Sequence, residues 1–307
     1  MVTYLAIDVL KLVPYDSFEV INDKPYRIFM GIHYHWQDVT WFNMQVARNN
    51  SIFWEPGVFQ IFINLGLFYQ FFLAKKVNVR QVLILLVSLF TTFSTTGFML
   101  AILIFVVSFI KIKSKNYLML IFKAFTVPII LFSGIYVGFL VFDQKASSTS
   151  VSYDLRSTDL ETGLELFRER PFIGWGYLNY EPYEAATGTP NNSNGLVSMM
   201  FHQGIFGILF HVLPAVILAF WFLRHKNIWA ALGFGVFYFM SAATEPLMYA
   251  NIFNVFICLG MVAMFEKRSF FNWAVNTNLI KKPNSQKNAN TTLKPIPVLY
   301  KKEEQLL

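Results

Sequence analysis

The sequence is poor in cysteine and in charged residues. It contains a single cysteine, Cys258, which excludes disulfide bonds and cysteine-based metal sites within the chain. Only 14% of its 307 residues are charged, whereas about a quarter are charged in a typical soluble protein. Zinc-ligand spacing, a P-loop and a dinucleotide-binding glycine pattern are all missing from the sequence. The sequence therefore predicts no metal, no cofactor and no nucleic-acid partner.

Apolar residues dominate the remainder. They make up 55% of the chain, with 34 phenylalanines, and the mean hydropathy is +0.46. Long apolar runs are typical of membrane-spanning helices, and here they cover 57–74, 117–142, 205–223, 228–244 and 247–265. The predicted fold class is all-α, a polytopic membrane helix bundle with about six to seven transmembrane helices.

Two shorter apolar runs, 82–93 and 97–110, are separated by Ser94-Thr95-Thr96. They could form one bent helix or two helices joined by a tight turn. Short basic loops normally lie in the cytoplasm, and the short basic clusters here are 75–80, 111–115 and 224–226. All three lie on that side only if the two runs cross the membrane separately. Two crossings are therefore predicted, with residues 143–203 outside and the C-terminus in the cytoplasm.

This topology divides the chain into five regions. They are an N-terminal segment with an external loop (1–56), transmembrane helices (57–142), an external functional loop (143–203), transmembrane helices (204–266) and a disordered cytoplasmic tail (267–307). The tail is rich in Asn, Lys and Pro, as disordered segments are. Arg48–Glu55, Ser94–Thr96, Arg156–Arg170 and Glu245 all lie on the outer face in this arrangement. One external site could gather them.

The external loop is expected to carry an amphipathic surface helix over 158–169. Thr158 and Glu161 have the spacing of a capping box, and Pro171 would end the helix. The apolar side chains that follow at helical spacing are expected to face the membrane; they are Leu160, Leu164 and Phe167.

Three arginines, Arg156, Arg168 and Arg170, flank this helix. They could form a solvated charged face that complements the dipole at the end of the helix. Arginine is also the side chain best suited to bidentate recognition of phosphate. We favour the second interpretation and predict that this loop binds phosphate or pyrophosphate.

Arg48, Glu55 and His202 are further candidate site residues. Glu55 followed by Pro56 is typical of the first turn of a helix, where an acidic residue complements the dipole. A carboxylate at the membrane boundary can also act as a general base. His202 stands near the start of an apolar helix, where a lone histidine is more often structural than catalytic.

Four motifs occur in order along the chain. They are Ser51-Ile-Phe-Trp-Glu-Pro-Gly57, Ser94-Thr-Thr-Gly97, Arg156 with Arg170-Pro-Phe-Ile-Gly-Trp-Gly176, and Ser193-Asn-Gly-Leu196 with Gly204-Ile205. As an ordered set they resemble the O-antigen polymerase/ligase family of bacterial surface-polysaccharide enzymes. The resemblance is strongest to the Wzy-type polymerases that make capsules or exopolysaccharides.

The resemblance implies a lipid-carrier-dependent glycosyltransferase in the bacterial plasma membrane. Such an enzyme joins oligosaccharide repeat units carried on undecaprenyl diphosphate at the outer face of the bilayer. Its implied partners are this lipid-linked substrate and the bilayer, with the chain-length regulator and the flippase of the same pathway. The resemblance implies that Arg156, with Arg168 or Arg170, grips the diphosphate. The other predicted site residues are Glu55 and His202 as candidate catalytic residues and Arg48 and Asn194 as substrate-binding residues.

The sequence departs from the family pattern in three places. Ligases of the family carry His-Asn or His-Ser where this chain has Ser193-Asn194, which favours a polymerase over a ligase. Family members often have Glu where His202 stands. They also have more helices before the first motif, so this chain is expected to begin partway into the family architecture.

The rival of a different class is a transporter or flippase of lipid-linked sugar. A transporter is expected to place polar or ionisable groups at the middle of the membrane. The predicted spans are nearly free of such groups, and the charge lies at one face. This distribution favours an enzyme.

Overall fold

The fold is described from a computed structural model of the chain. The residues that it describes are 2–21, 24–35, 38–41, 44–112, 117–118, 121–123, 125–129, 132, 136, 151–189 and 192–265. The described residues between 117 and 136 are helical, so the predicted span 117–142 is seen only in part. The predicted tail, 267–307, lies outside the described residues.

Several of the helices follow the apolar runs of the sequence. Helix α1 covers Val2–Tyr4 and continues in a π turn, Leu5–Val9. The next three are α2 (Pro56–Phe68, continued by a π turn, Tyr69–Leu73), α3 (Val79–Thr92) and α4 (Thr95–Lys111). After residue 150 come α5 (Val151–Glu169), α6 (Glu181–Thr187), α7 (Gly195–Gly207), α8 (Leu213–His225), α9 (Ile228–Thr244) and α10 (Asn251–Phe265). A π turn, Ile208–Val212, joins α7 to α8.

The all-α prediction was wrong for the segment before α2, which forms two small antiparallel sheets. One contains β1 (Ser17–Ile21), β2 (Lys24–Phe29) and β3 (His33–His35), and the other contains β4 (Asp38–Trp41) and β5 (Met44–Ala47). Tyr26 and Ile28 are buried on one face of β2. Strands this short carry too few alternating positions to give a clear period-two signal.

Residues 79–111 form two helices rather than one bent helix, as the charge pattern predicted. Phe93 ends α3 in the left-handed region, with φ 48°. Ser94 then caps α4, because its hydroxyl accepts a hydrogen bond of 3.2 Å from the Gly97 amide. Ser94, in the polar turn Ser94–Thr96, thus satisfies a backbone amide at the start of α4.

Within the part of the chain that the structure describes, two helical segments are long and apolar enough to cross a membrane. They are Pro56–Leu73, with 18 residues, and Gly195–His225, with 31 residues. The second begins at Gly195, well before the apolar run predicted at 205. Shorter apolar helices, α3, α4, α9 and α10, pack beside them. The described part of the chain is therefore mostly helical with two candidate membrane spans, while the number of crossings stays a prediction.

The predicted surface helix 158–169 is helical, but its start and its buried face differ from expectation. Helix α5 begins at Val151, so Thr158 and Glu161 lie inside the helix and do not form a capping box. Asp159, Gly163 and Leu166 form its buried face, because they pack on α6 and α7. Leu160 is 43% exposed. Leu164 and Phe167 are half-buried, and Phe167 packs against the cluster around Leu166. Membrane contact by these three residues stays a prediction.

Candidate functional site

The segment before α2 is fixed on the end of α3. The Arg48 Nε donates to the Thr92 carbonyl at 3.0 Å, and the Asn49 amide donates to the Thr91 carbonyl at 2.9 Å. The Asn49 side chain also donates to the Thr91 hydroxyl at 2.9 Å. The last carbonyls of a helix have no partner within the helix, and these contacts supply one. Arg48 is thereby held at a defined place at the mouth of the bundle.

Glu55 occupies the position just before the first turn of α2. Its backbone is extended, and its side chain makes no capping hydrogen bond to that turn. The loop on which it stands is fixed by the Trp54 carbonyl, which accepts hydrogen bonds from the Tyr26 hydroxyl at 3.1 Å and from Asn50 at 3.2 Å. Burial, aided by the negative charge of Glu55, raises the pKa of Tyr26 to about 12. The negative charge of Glu55 thus acts on the Tyr26 hydroxyl.

Glu245, directly after α9, completes a cluster with Arg48 and Glu55. It is 8% exposed. A Cβ atom at Gly57 would collide with its carboxylate, so the carboxylate fills the space beside the start of α2. Burial lowers the pKa of Arg48 to about 10, and the charges of Glu245 and then Glu55 oppose this effect. We call Arg48, Glu55 and Glu245 the carboxylate–arginine cluster.

Glu245 also explains why position 195, in another motif, is a glycine. A Cβ atom at Gly195, the first residue of α7, would collide with the backbone carbonyls of Glu245 and Ala242. Sequence reasoning placed Glu245 on the outer face but did not select it as a site residue. The sequence pointed to Glu245 only indirectly. Gly57 and Gly195 lack side chains because Glu245, distant in the sequence, fills the space beside both of them.

Arg170, directly after α5, lies beside a tryptophan. Arg168 and Arg170 are exposed, and the Arg170 guanidinium lies 3.9 Å from the centroid of the Trp175 ring. The Trp175 indole donates to the Leu166 carbonyl at 3.0 Å, which fixes the ring on the end of the helix. Cations are attracted to the face of an indole ring. Arg156 belongs to the same helix, and its side chain lies outside the described part of the structure.

The turn after Arg170 fits into a break in α7. Gly204 has φ 60° and ψ −149°, which interrupts the helix. The Trp175 and Gly176 amides donate to the carbonyls of Phe201 and His202, both at 2.9 Å, and the Ile205 amide donates to the Pro171 carbonyl at 2.8 Å. The turn therefore replaces hydrogen bonds that an unbroken α7 would make within itself. This interlock links the arginine-bearing turn rigidly to a candidate membrane helix.

We expect Gly174→Ala to lower the stability of the protein much more than Gly188→Ala. Both glycines have positive φ, 64° and 72°, so alanine costs about 1 kcal/mol at either position. A Cβ atom at Gly174 would also overlap the backbone of His202, whereas Gly188 has open space around it. This overlap is expected to lower the free energy of unfolding of Gly174→Ala by a further roughly 1–3 kcal/mol. Thermal unfolding of the two purified variants measures the difference, and equal unfolding temperatures would refute the interlock.

His202 is fully buried within an aromatic cluster. Its Nδ1 lies 3.4 Å from the Ser198 hydroxyl and 3.4 Å from the Tyr249 hydroxyl, and the Tyr180 ring packs edge-on at 4.6 Å. His202 also lines an open groove of about 550 Å³ whose other lining residues are mostly apolar: Ile173, Tyr177, Gln203, Phe206, Leu209 and Phe210. The structure thus places this candidate base beneath the groove rather than within the carboxylate–arginine cluster.

Asp159 and Asn194 organise the loop before α7. The buried Asp159 carboxylate accepts hydrogen bonds from the Tyr183 hydroxyl and from the Ser193 hydroxyl and amide. The Asn194 side chain caps α7 by accepting from the Val197 amide at 3.1 Å. The oxygen of Asn194, predicted as a substrate ligand, therefore has a structural partner. Asp159 was missed from the sequence, because an acidic residue inside an amphipathic helix is usually solvated.

Residues 81–212 match the model of a family described as O-antigen ligase. The matched segment contains the α3–α4 turn, all of α5 and the interlock with α7. The match supports a membrane glycosyltransferase of the ligase or polymerase type that works in polysaccharide assembly. This segment is therefore similar to the O-antigen ligase family, which supports the resemblance predicted from the ordered motifs. Comparisons with curated proteins and with solved structures gave no significant match.

Proposed function

We propose that the protein polymerises oligosaccharide repeat units carried on undecaprenyl diphosphate at the outer face of the bacterial plasma membrane. An acceptor sugar hydroxyl attacks the anomeric carbon of a second lipid-linked chain. The bond from that carbon to the diphosphate oxygen breaks, the lipid diphosphate leaves, and a base takes the proton of the hydroxyl. The lipid carrier supplies the activated sugar, so the scheme needs no nucleotide sugar.

The observation that carries this proposal is the position of the exposed arginines beside the apolar groove. Arg170 lies over Trp175, and the same turn continues into the groove through Ile173 and Tyr177. A lipid diphosphate has an anionic head and an apolar chain. Arginines suit the head, and an apolar trough suits part of the chain. The two features lie next to each other, as this substrate requires.

The arrangement also supports the chemistry of the transfer. Negative charge grows on the diphosphate as it leaves, and arginines fixed at that position stabilise it electrostatically. We assign this role to Arg156 together with Arg168 or Arg170. Glu55 is the preferred base, because its carboxylate does not cap α2 and lies at the mouth of the bundle. His202 is the alternative base.

Ser193 favours a polymerase over a ligase. Ligases of the family carry a candidate catalytic histidine at this position. Here the Ser193 hydroxyl is bound to the buried Asp159 carboxylate and helps to fix the loop before α7. The position therefore has a structural role in this chain.

A strain that lacks the gene tests the proposal through the lengths of its surface glycans. We expect long chains to disappear while single repeat units remain on the carrier. Long chains that accumulate on the carrier would instead indicate a ligase. Repeat units trapped at the cytoplasmic face would indicate a flippase. Either of these two results would contradict a polymerase.

The proposed orientation predicts different labelling at two exposed positions, Glu184 in α6 and Lys76 before α3. A cysteine at Glu184 should react with an impermeant thiol reagent in intact cells, because α6 is expected outside. A cysteine at Lys76 should react only after the cells are opened. The native Cys258, which is exposed, is first replaced by serine. Labelling of Lys76 but not Glu184 in intact cells would reverse the orientation.

A further inference from the structure

We propose that the turn 171–174 is a membrane wedge, whose tip inserts between lipids at the edge of the bilayer. The two residues of the tip, Phe172 and Ile173, are 70% and 72% exposed. A contiguous patch of exposed apolar side chains marks a surface that contacts a partner or a membrane. The inference concerns contact with the bilayer itself, so it goes beyond the reaction proposed above and does not depend on it.

The tip is held at a defined height on α7. The Ile205 amide donates to the Pro171 carbonyl at 2.8 Å. A Cβ atom at Gly204 would collide with the Phe172 carbonyl, so the backbone of the turn touches the helix at its break. The wedge tip therefore lies at the level of residues 204 and 205.

The exposed apolar surface of the segment Gly195–His225 begins at the same level. Residues 195–204 are all described, and each of them is buried or half-buried. After the break, large apolar side chains are exposed along the whole remaining segment: Ile205, Phe206, Leu209, Phe210, Leu213, Phe220 and Leu223. Ile173 lines the same groove as Phe206. The wedge tip thus continues a surface that suits lipid.

The length of this segment places the wedge tip at one boundary of the hydrocarbon layer. A helix needs about 20 apolar residues to cross a bilayer core that is about 30 Å thick. The exposed basic residues Arg224 and Lys226 mark the end of the span at one membrane surface. Counting about 20 residues back from Arg224 reaches Gly204. Phe172 and Ile173 therefore meet the opposite boundary.

The polar groups next to the tip suit the headgroup region. Arg168 and Arg170 are exposed, and the half-buried Trp175 is fixed by its hydrogen bond to the Leu166 carbonyl. Lipid phosphates attract arginine, and tryptophan is enriched at the membrane–water interface. The turn thus offers an apolar tip to the acyl chains and cations to the phosphates. At this depth Arg170 lies at the height where a carrier lipid holds its diphosphate.

Fluorescence quenching in lipid nanodiscs tests the wedge. The Cys258→Ser protein receives one cysteine, through Phe172→Cys or Ile173→Cys, and this cysteine carries a small fluorescent label. We expect both labels to be quenched by lipids with a nitroxide on the acyl chain and to be protected from iodide in the buffer. A nitroxide near the headgroup should quench more than one at the chain end, because the turn meets the edge of the hydrocarbon layer.

Two matched positions calibrate the measurement. Glu184→Cys places the label on the exposed surface of the polar helix α6, where iodide should quench and nitroxide lipid should not. Phe206→Cys places it on the exposed apolar surface, where nitroxide lipid should quench. The side chains of Phe172 and Ile173 are exposed, so the labelled variants should unfold at the temperature of the Cys258→Ser protein.

The outcomes are distinct. Iodide quenching of either tip label to the extent seen in Glu184→Cys overturns the wedge. Tip labels that neither quencher reaches also overturn it, because protein rather than lipid would then cover the tip. Stronger quenching from the chain end would contradict the predicted depth. A tip quenched by lipid in a protein that forms no polymer supports the wedge and refutes only the proposed function.

Discussion

Arg156→Ala is expected to remove nearly all long-chain polymer, and Arg156→Lys most of it. Arg156 lies in α5, three positions before Asp159 and seven before Gly163, which is the spacing of one helix face. Gly163 packs on Val197 of α7 and on Asn192, and Asn192 also donates to the Asp159 carbonyl. The proposed function places Arg156 at the outer face of the membrane. Lysine keeps the charge but loses the bidentate geometry that a diphosphate requires.

The size of this effect follows from the strength of one charged contact. A hydrogen bond to a charged group is worth about 1.5–3 kcal/mol. If this hydrogen bond forms only in the transition state, its loss slows the transfer reaction roughly 10- to 150-fold. Surface glycan length and yield are measured in cells with equal amounts of protein in the membrane. Arg224→Ala, an exposed arginine predicted to face the cytoplasm, is the matched control. Normal polymer from both Arg156 variants would refute the diphosphate role.

Glu55→Gln is expected to slow polymerisation by roughly 10²- to 10⁴-fold, the usual contribution of a general base. Glutamine has nearly the same shape but cannot accept the proton. The Glu55 side chain makes no capping hydrogen bond to α2, so the change should leave the helix start intact. Glu55→Asp should retain part of the rate, because the carboxylate is kept at a shorter reach.

His202→Gln distinguishes the two candidate bases. His202 is buried under the groove, with Ser198 and Tyr249 around its Nδ1. If Glu55 is the base, His202→Gln should cost much less than Glu55→Gln at equal protein levels. A full rate in Glu55→Gln together with a large loss in His202→Gln would transfer the role to the histidine. The initial rate of polymer formation by purified protein is the appropriate measurement.

The helical part of the fold could be predicted because long apolar runs and polar turns determine it locally. The apolar runs 82–93 and 97–110 were predicted as two helices from the polar turn between them and the positions of the basic clusters, and they form Val79–Thr92 and Thr95–Lys111. The strands between residues 17 and 47 were missed, because three to six residues carry little periodic signal. The break of α7 at Gly204 depends on hydrogen bonds to a turn about thirty residues earlier in the sequence. The residues around Gly204 give no sign of this contact.

The candidate site was only partly accessible from the sequence for a similar reason. Residue types selected Arg48 and Glu55, which the structure brings together. Arg48 was expected to bind substrate, yet its Nε donates to Thr92 and its charge faces two carboxylates. Glu245 and Asp159 act through tertiary contacts with distant glycines and hydroxyls. Their roles follow from packing, which spacing along the chain does not reveal.

The most direct test of the central claim is the elongation of defined repeat units by the purified protein. The protein is reconstituted in lipid vesicles with a single oligosaccharide unit on undecaprenyl diphosphate, and the glycan lengths are measured over time. We predict a ladder of products that differ by one repeat unit, still attached to the carrier, with one free lipid diphosphate released for each bond formed. Repeat units that remain single while the carrier diphosphate stays bound to them would contradict the account.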